Sequence, residues 1–178
     1  MRIEETQITD VRIIHQFNHS DERGSFIKSF NSSQFLENGI EFEMKESFHS
    51  SSEKNVVRGM HFHLPPHDHA KIVFCVRGAI LDVVLDLRKD SSTYGQSVQC
   101  ELSADNYQAL YIPKGFAHGF LSLSQRSTAF YFVDGEYSKE HDAGLMYDSF
   151  GFDWGIERAL LSPRDLSFET FENFKSPF

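Results

Sequence analysis

From about Val56 onward the chain consists of short β-branched or aromatic runs, broken at hairpin-like intervals by Gly, Pro, Asn, Asp or Ser. Residues 71–77 and 79–87 flank Gly78, a tight reversal, and further runs cover 97–102, 108–112, 119–123 and 128–133. This spacing predicts strands joined by turns. A strand series without intervening helices predicts an all-β fold, an antiparallel sandwich or jelly roll. Helix is expected only at the periphery. Residues 31–37 open with Asn and Ser and are followed by Gly39, and Ser162-Pro163 offers a cap and a first-turn proline.

Successive strand residues point to opposite faces, so alternation assigns partners. His61 and His63 share a face, as do Lys71, Val73 and Cys75. Asp82, Val84 and Asp86 lie together, opposite the apolar set Leu81, Val83, Leu85 and Leu87. Asp82 is thus expected to look into the barrel. Tyr131 and Tyr137 fall on one face if their strand runs unbroken past Asp134-Gly135.

Composition narrows the function classes. The 178 residues suit a single domain, expected to span 1–178, that buries roughly two thirds of its unfolded surface. Seventeen basic against 26 acidic residues give a net charge of −9, and no basic run tracks a phosphate backbone, so nucleic acid is not an expected partner. Near the start stand Glu4, Glu5 and Asp10 rather than a basic segment with an apolar core, and no apolar run approaches the roughly 20 residues that span a bilayer. No membrane partner and a cytoplasmic location are expected. Cys75 and Cys100 sit in strand-like sequence, where a thiol acts as a small hydrophobe. Most of the 18 Phe are expected in the core.

The candidate chemistry centres on two segments, Arg58-Gly59-Met60-His61-Phe62-His63 and Ile112-Pro113-Lys114-Gly115-Phe116-Ala117-His118. Strands facing across a small barrel would bring His61, His63 and His118 into one cavity. One reading is a metal site with His61, His63, His67 and His118 as ligands, since imidazole suits iron, manganese, nickel or zinc. Against it, the segment continues to Lys71, and a cationic lysine beside a divalent ion is unfavourable unless its charge is suppressed. The other reading is proton transfer beside a carbonyl: His61 as base, Tyr131 as acid, and Lys71 steadying the enolate oxygen. The sequence contains no nucleophile elbow, phosphate-cradling glycine loop or dinucleotide fingerprint.

Six separated motifs then make a resemblance specific. They are Asp21-Glu22-Arg23-Gly24-Ser25-Phe26, Val57-Arg58-Gly59-Met60-His61, Pro65-Pro66-His67, Lys71-Ile72-Val73, Asp82-Val83-Val84-Leu85-Asp86-Leu87-Arg88 and Ile112 to Phe120. In order and spacing the chain resembles the dTDP-4-dehydrorhamnose 3,5-epimerase family, as far as Leu161-Ser162-Pro163-Arg164-Asp165. The resemblance implies a cupin jelly roll without metal or other cofactor, usually a homodimer. Such an isomerase inverts C3, C5 or both of a nucleotide-diphosphate-linked 4-keto-6-deoxyhexose.

By the same resemblance His61 is the base, held by an aspartate, Tyr131 returns a proton from the opposite face, and Lys71 lies near the C4 oxygen. Arg23 and Arg58 match contacts to the nucleotide diphosphate or sugar, Phe26 stands in the first motif, and Asp82, His118 and Tyr137 match site positions. The chain departs from the family pattern near its C-terminal segment, which reads Tyr147-Asp148-Ser149-Phe150-Gly151-Phe152-Asp153-Trp154. Asp148 is expected to supply the carboxylate for His61, unless Ser149 occupies that slot and leaves the pair incomplete. Glu46 and Phe48 stand where Gln and Asn are usual, Lys28 where an acid is common, and His63 where glutamine is usual. These swaps fall where sugar and nucleotide would be read. A metal-dependent cupin and a non-catalytic sugar-nucleotide binder are the competing readings.

Overall fold

In a computed structural model describing residues 1–178, the strand series begins well before Val56. The strands are β1 (Arg2–Glu5), β2 (Arg12–His15), β3 (Phe17–Asp21), β4 (Gly24–Lys28), β5 (Glu46–Glu53), β6 (Val57–His63) and β7 (Lys71–Arg77), then β8 (Ala79–Asp86), β9 (Ser97–Ser103), β10 (Gln108–Ile112), β11 (Phe116–Ser122), β12 (Arg126–Val133) and β13 (Asp142–Gly144). One short helix, α1 (Ser32–Glu37), is capped by the Asn31 side chain, which accepts from the Gln34 N–H at 3.0 Å. The turn after Ser162-Pro163 is a single 3-10 turn, Asp165–Ser167. No helix is long and apolar enough to cross a membrane.

The strands form a six-stranded sheet in the order β1-β2-β10-β7-β12-β5 and a five-stranded sheet in the order β13-β6-β11-β8-β9, with β3 and β4 pairing only with each other. All pairings between these strands are antiparallel. The two large sheets pack face to face as the expected sandwich. Two of the overlooked strands are polar: β3, in the separate hairpin, reads Phe-Asn-His-Ser-Asp, and β5, at a sheet edge, reads Glu-Ser-Phe-His-Ser-Ser-Ser-Glu. Their own alternation is weak. Partners set them instead, and β5 pairs along its whole length with β12, from Glu46 opposite Val133 to Glu53 opposite Arg126.

The alternation assigned from sequence explains three layers of core. Val73, Cys75, Val84, Leu110, Phe120 and Tyr131 meet between the sheets. On the outer face of the five-stranded sheet, Val83, Leu85 and Leu87 pack under Trp154 and the aromatic C-terminal segment of Phe150, Phe152, Phe171, Phe174 and Phe178. Ile72, Phe74 and Ala109 on the outer face of the other sheet are covered by Phe35 of α1 with Phe30, Phe42 and Phe132. The many phenylalanines therefore cover outer sheet faces as well as filling the interior, each burying 150–250 Å² in general.

Candidate active site

The interior between the sheets is not filled at one end. There a cavity of about 420 Å³ opens, walled on the six-stranded side by Glu46, Phe48 and Ser50 of β5, Lys71 of β7 and Tyr131 of β12. Arg58, His61 and His63 of β6 and His118 of β11 form the facing wall. On β5 the three residues follow strand alternation. On β6 they do not, because Arg58 and His61 are an odd number of residues apart. A bulge resolves this: His118 pairs with His61 but Phe120 pairs with Arg58, so β6 spends one extra residue over the same span. Gly59 carries the distortion with φ +138°, and a Cβ there would lie 2.5 Å from Gly119 Cα. Only a glycine lets the backbones approach so closely. Met60 is then buried while Arg58, His61 and His63 all face the cavity.

His61 Nε2–H donates to Asp165 Oδ1 at 2.8 Å. Burial pushes the imidazole below its ordinary value, against the opposing pull of the Asp165 carboxylate. Burial also pushes Asp165 upward, but the hydrogen bond from His61, with the Gly59 N–H and Ser162, outweighs it and holds the carboxyl below the usual range. The Ser162 hydroxyl accepts from the Asp165 N–H at 3.0 Å, fixing the 3-10 turn that aims the carboxylate. The segment docks beside β6 because Gly144 of β13, opposite His61, has no side chain. Phe168 occupies that space and meets the His61 ring edge-on at 5.7 Å.

A second pair lies deeper, where His118 Nε2–H donates to Asp82 Oδ2 at 2.9 Å with both side chains buried. Burial raises Asp82, opposed by the His118 charge and hydrogen bond. Lys71 Nζ donates to the His61 carbonyl at 3.2 Å, and burial pushes its ammonium down to about 8. Tyr131, only 8% exposed, is held protonated, since burial raises its phenol far above the ordinary value. Phe48 stacks on the Tyr131 ring at 4.7 Å. Imidazole and phenol thus project from opposite sheets into one cavity, with an ammonium between their strands.

Among the residues expected from sequence, the structure brings together His61, His63, Lys71, Arg58, His118, Tyr131, Tyr137 and Glu46 at the cavity, with Asp82 behind His118. Tyr137 arrives differently from expectation. Strand β12 ends at Val133, and the loop after it carries Tyr137 to the rim. The carboxylate against His61 is Asp165 and not Asp148, which is exposed on a turn and makes no hydrogen bond with the imidazole. Ser149 does not fill that role either. Its hydroxyl donates to the Met146 carbonyl and accepts from the Phe171 N–H, tying down the C-terminal segment.

Arg23 and Phe26 also lie off the cavity. They sit on the β3–β4 hairpin, which joins neither large sheet, and Arg23 is 84% exposed and ion-paired with Asp21. His61, His63, His67 and His118 do not assemble as a ligand set, and no cluster of three or more His, Cys, Asp or Glu side chains has metal-binding geometry. His69, expected as a loop or pocket-lining group, and Asp142, unassigned from sequence, also line the cavity. Asp142 is paired with Arg164 at 2.7 Å.

The family model described as dTDP-4-dehydrorhamnose 3,5-epimerase matches residues 5–173. The enzyme of that name from Shigella flexneri is 40% identical over 174 residues, covering 96% of each chain, and that from Escherichia coli K12 is 41% identical over 169 residues, covering 93% of this chain and 91% of the other. Among solved structures, the 3,5-epimerase from Legionella pneumophila in complex with dTDP-4-keto-L-rhamnose superposes with a TM-score of 0.94 at 34% identity, over 98% of this chain and 94% of that one. A 3'-monoepimerase from Streptomyces bikiniensis in complex with dTDP-quinovose gives 0.87 at 30%, over 93% and 85%. A site of paired histidine and carboxylate facing a tyrosine and a lysine, on a sandwich shared with these enzymes along nearly its whole length, makes this chain a member of the dTDP-4-dehydrorhamnose 3,5-epimerase family.

Proposed function

We propose that the protein epimerises C3, C5 or both of a dTDP-linked 4-keto-6-deoxyhexose, the substrate class named for its relatives. With Nε2–H committed to Asp165, the neutral His61 ring holds its lone pair on Nδ1. That nitrogen takes the proton from the carbon beside the C4 ketone, the C–H electrons move into an enolate, and the charge settles on the C4 oxygen. Lys71, cationic below about pH 8, stabilises this oxyanion. Tyr131 then gives its phenolic proton to the opposite face of the same carbon and regains one from solvent, while His61 releases the proton it took. Arg58 meets the diphosphate or sugar, as a guanidinium can do bidentately. No step is assigned to a cofactor.

The reading extends to the assembly. The protein acts as a cytoplasmic homodimer of single-domain subunits. The β3–β4 hairpin of a second copy brings Arg23 and Phe26 to the cavity, which accounts for a solvent-exposed Phe26 and an Arg23 whose side chain pairs only with its hairpin neighbour Asp21. The observation that carries the catalytic proposal is the opposition of the His61–Asp165 pair and Tyr131 across one cavity in a member of this family. Its test is to incubate the chelator-treated protein in D2O with dTDP-4-keto-6-deoxyglucose and with GDP-, CDP- and UDP-linked analogues, following the C3 and C5 protons by NMR. Exchange with the dTDP sugar at one or both carbons is expected. No exchange with any sugar would instead indicate a binding protein.

A further inference from the structure

The segment after β12 crosses the cavity mouth and carries Tyr137, and every point at which it touches the cavity wall is made by a cavity residue. Tyr137 N–H donates to Glu46 Oε1 at 3.1 Å. Ser138 N–H points at His63 Nε2 at 3.5 Å, and the Tyr137 ring meets the His63 ring edge-on at 5.7 Å. Gly135 lies so close to His69 that an added Cβ would stand 2.6 Å from the His69 Cβ. His69 in turn packs on His63, with ring centres 4.5 Å apart. Glu46, His63 and His69 come from β5, β6 and the loop before β7, so the segment is bound to both sheets at once.

We propose that Glu46 and His63 are positioning residues, which clip residues 135–138 across the mouth and so hold Tyr137 in place for the sugar nucleotide. This rests on the epimerase reading only in what Tyr137 is held for; the clip itself does not depend on it. Glu46 spends one carboxylate oxygen on a backbone N–H, an interaction an uncharged acceptor could replace. His63 is kept neutral, burial and the neighbouring His69 charge pushing it down to about 4, so its ring retains a lone pair for the Ser138 N–H. A hydrogen bond of this kind, once removed, loosens a loop by roughly five- to tenfold in its opening equilibrium.

The test is hydrogen–deuterium exchange of the peptide covering 134–141, with the peptide covering β7 as an internal control for folding. Glu46→Ala and His63→Ala are each expected to speed exchange of that peptide by about five- to tenfold while β7 is unchanged. Glu46→Gln, whose amide oxygen can accept the same bond, is expected to keep the peptide protected. In steady-state kinetics Glu46→Ala should raise KM by a larger factor than it lowers kcat. Unchanged exchange in both alanine variants overturns the proposal. So does a Glu46→Gln variant as impaired in KM as Glu46→Ala with the segment still protected, which would make Glu46 a charged contact to the ligand. A wild-type protein that epimerises nothing would sink the catalytic reading and leave the exchange result to decide the clip.

Discussion

One nitrogen of His61 is committed to Asp165, and this commitment fixes which nitrogen can act as a base. Asp165→Asn should therefore lower kcat by about 10²-fold or more, since an amide can present its N–H to Nε2 and favour the wrong tautomer. Asp148→Asn should stay within about twofold. Initial-rate measurements on the pair separate the two carboxylates, and equal losses would show that the contact seen with Asp165 is not the working one. His61, His118 and Lys71 were legible in the sequence because each sits in a short motif on a strand, whereas Tyr131 stands in a plain apolar strand and was singled out by the family resemblance. Asp165 was not. It lies 104 residues from His61 and reaches it through the C-terminal segment, a contact no local period encodes.

Lys71 supplies a pH signature at the same scale. Its folded value of about 8 lies below the ordinary 10.5, so between these values the unfolded chain binds the extra proton and stability rises with pH. Below about pH 8 the full penalty of a buried cation is present. Activity runs the other way, because the oxyanion is steadied only by the charged form: kcat/KM should fall as pH rises through about 8. On the acid side it should fall as His61 becomes protonated, below its ordinary value of 6.5. Lys71→Met should abolish turnover yet raise Tm at pH 7, by about 2–4 °C for each kcal/mol of relieved penalty. A Tm lowered at that pH would contradict the buried-cation account.

Among the elements, β6 and β5 show how differently an edge and an interior strand are specified. The bulge in β6 was hidden because the motif Arg58-Gly59-Met60-His61 reads as ordinary alternation. Its cause is a backbone contact between Gly59 and Gly119 that only the paired strands reveal. Gly59→Ala would drive a Cβ into Gly119 at a φ that side-chain-bearing residues rarely adopt, and should cost roughly 2 kcal/mol or more. Urea midpoints measure this directly, and a neutral result would mean that the close approach is not required. β5 escaped sequence reading for the opposite reason. It is polar on both faces, and pairing with β12 turns Glu46, Phe48 and Ser50 inward. The interior strands β7 and β10 have the bounds their apolar runs predicted, as burial on both faces leaves a plain hydrophobic signature.

At the level of the whole molecule, an anionic protein of net charge −9 is proposed to receive a nucleotide diphosphate, so local cations must outweigh the average field. Arg58 and Lys71 line the cavity within the chain, and in the proposed dimer Arg23 of a second copy would add a third. If the hairpins are exchanged in this way, Arg23→Ala and His61→Ala homodimers should each be nearly inactive. After mixing and re-equilibration, heterodimers would contain one intact site, and activity should recover toward about a quarter of wild type, half of the molecules having one of two sites. Recovery that never appears, with subunit exchange confirmed by mass spectrometry, would place Arg23 outside the neighbouring site. The sandwich was legible from strand spacing, whereas the separate β3–β4 hairpin was not, since it is held by neither large sheet.

The proposed proton-transfer groups stand on strands in the packed middle of the sandwich, while Glu46 and Phe48 stand on an edge strand and Tyr137 on a loop. The two sets therefore face different tolerances to change. A substitution at Tyr131 or His61 disturbs interdigitated core, but Glu46 or the 135–138 segment can be exchanged with little effect on the layers beneath. Within such an architecture, lineages can wander among nucleotide sugars by redecorating the entrance while the same inversion chemistry is inherited unaltered.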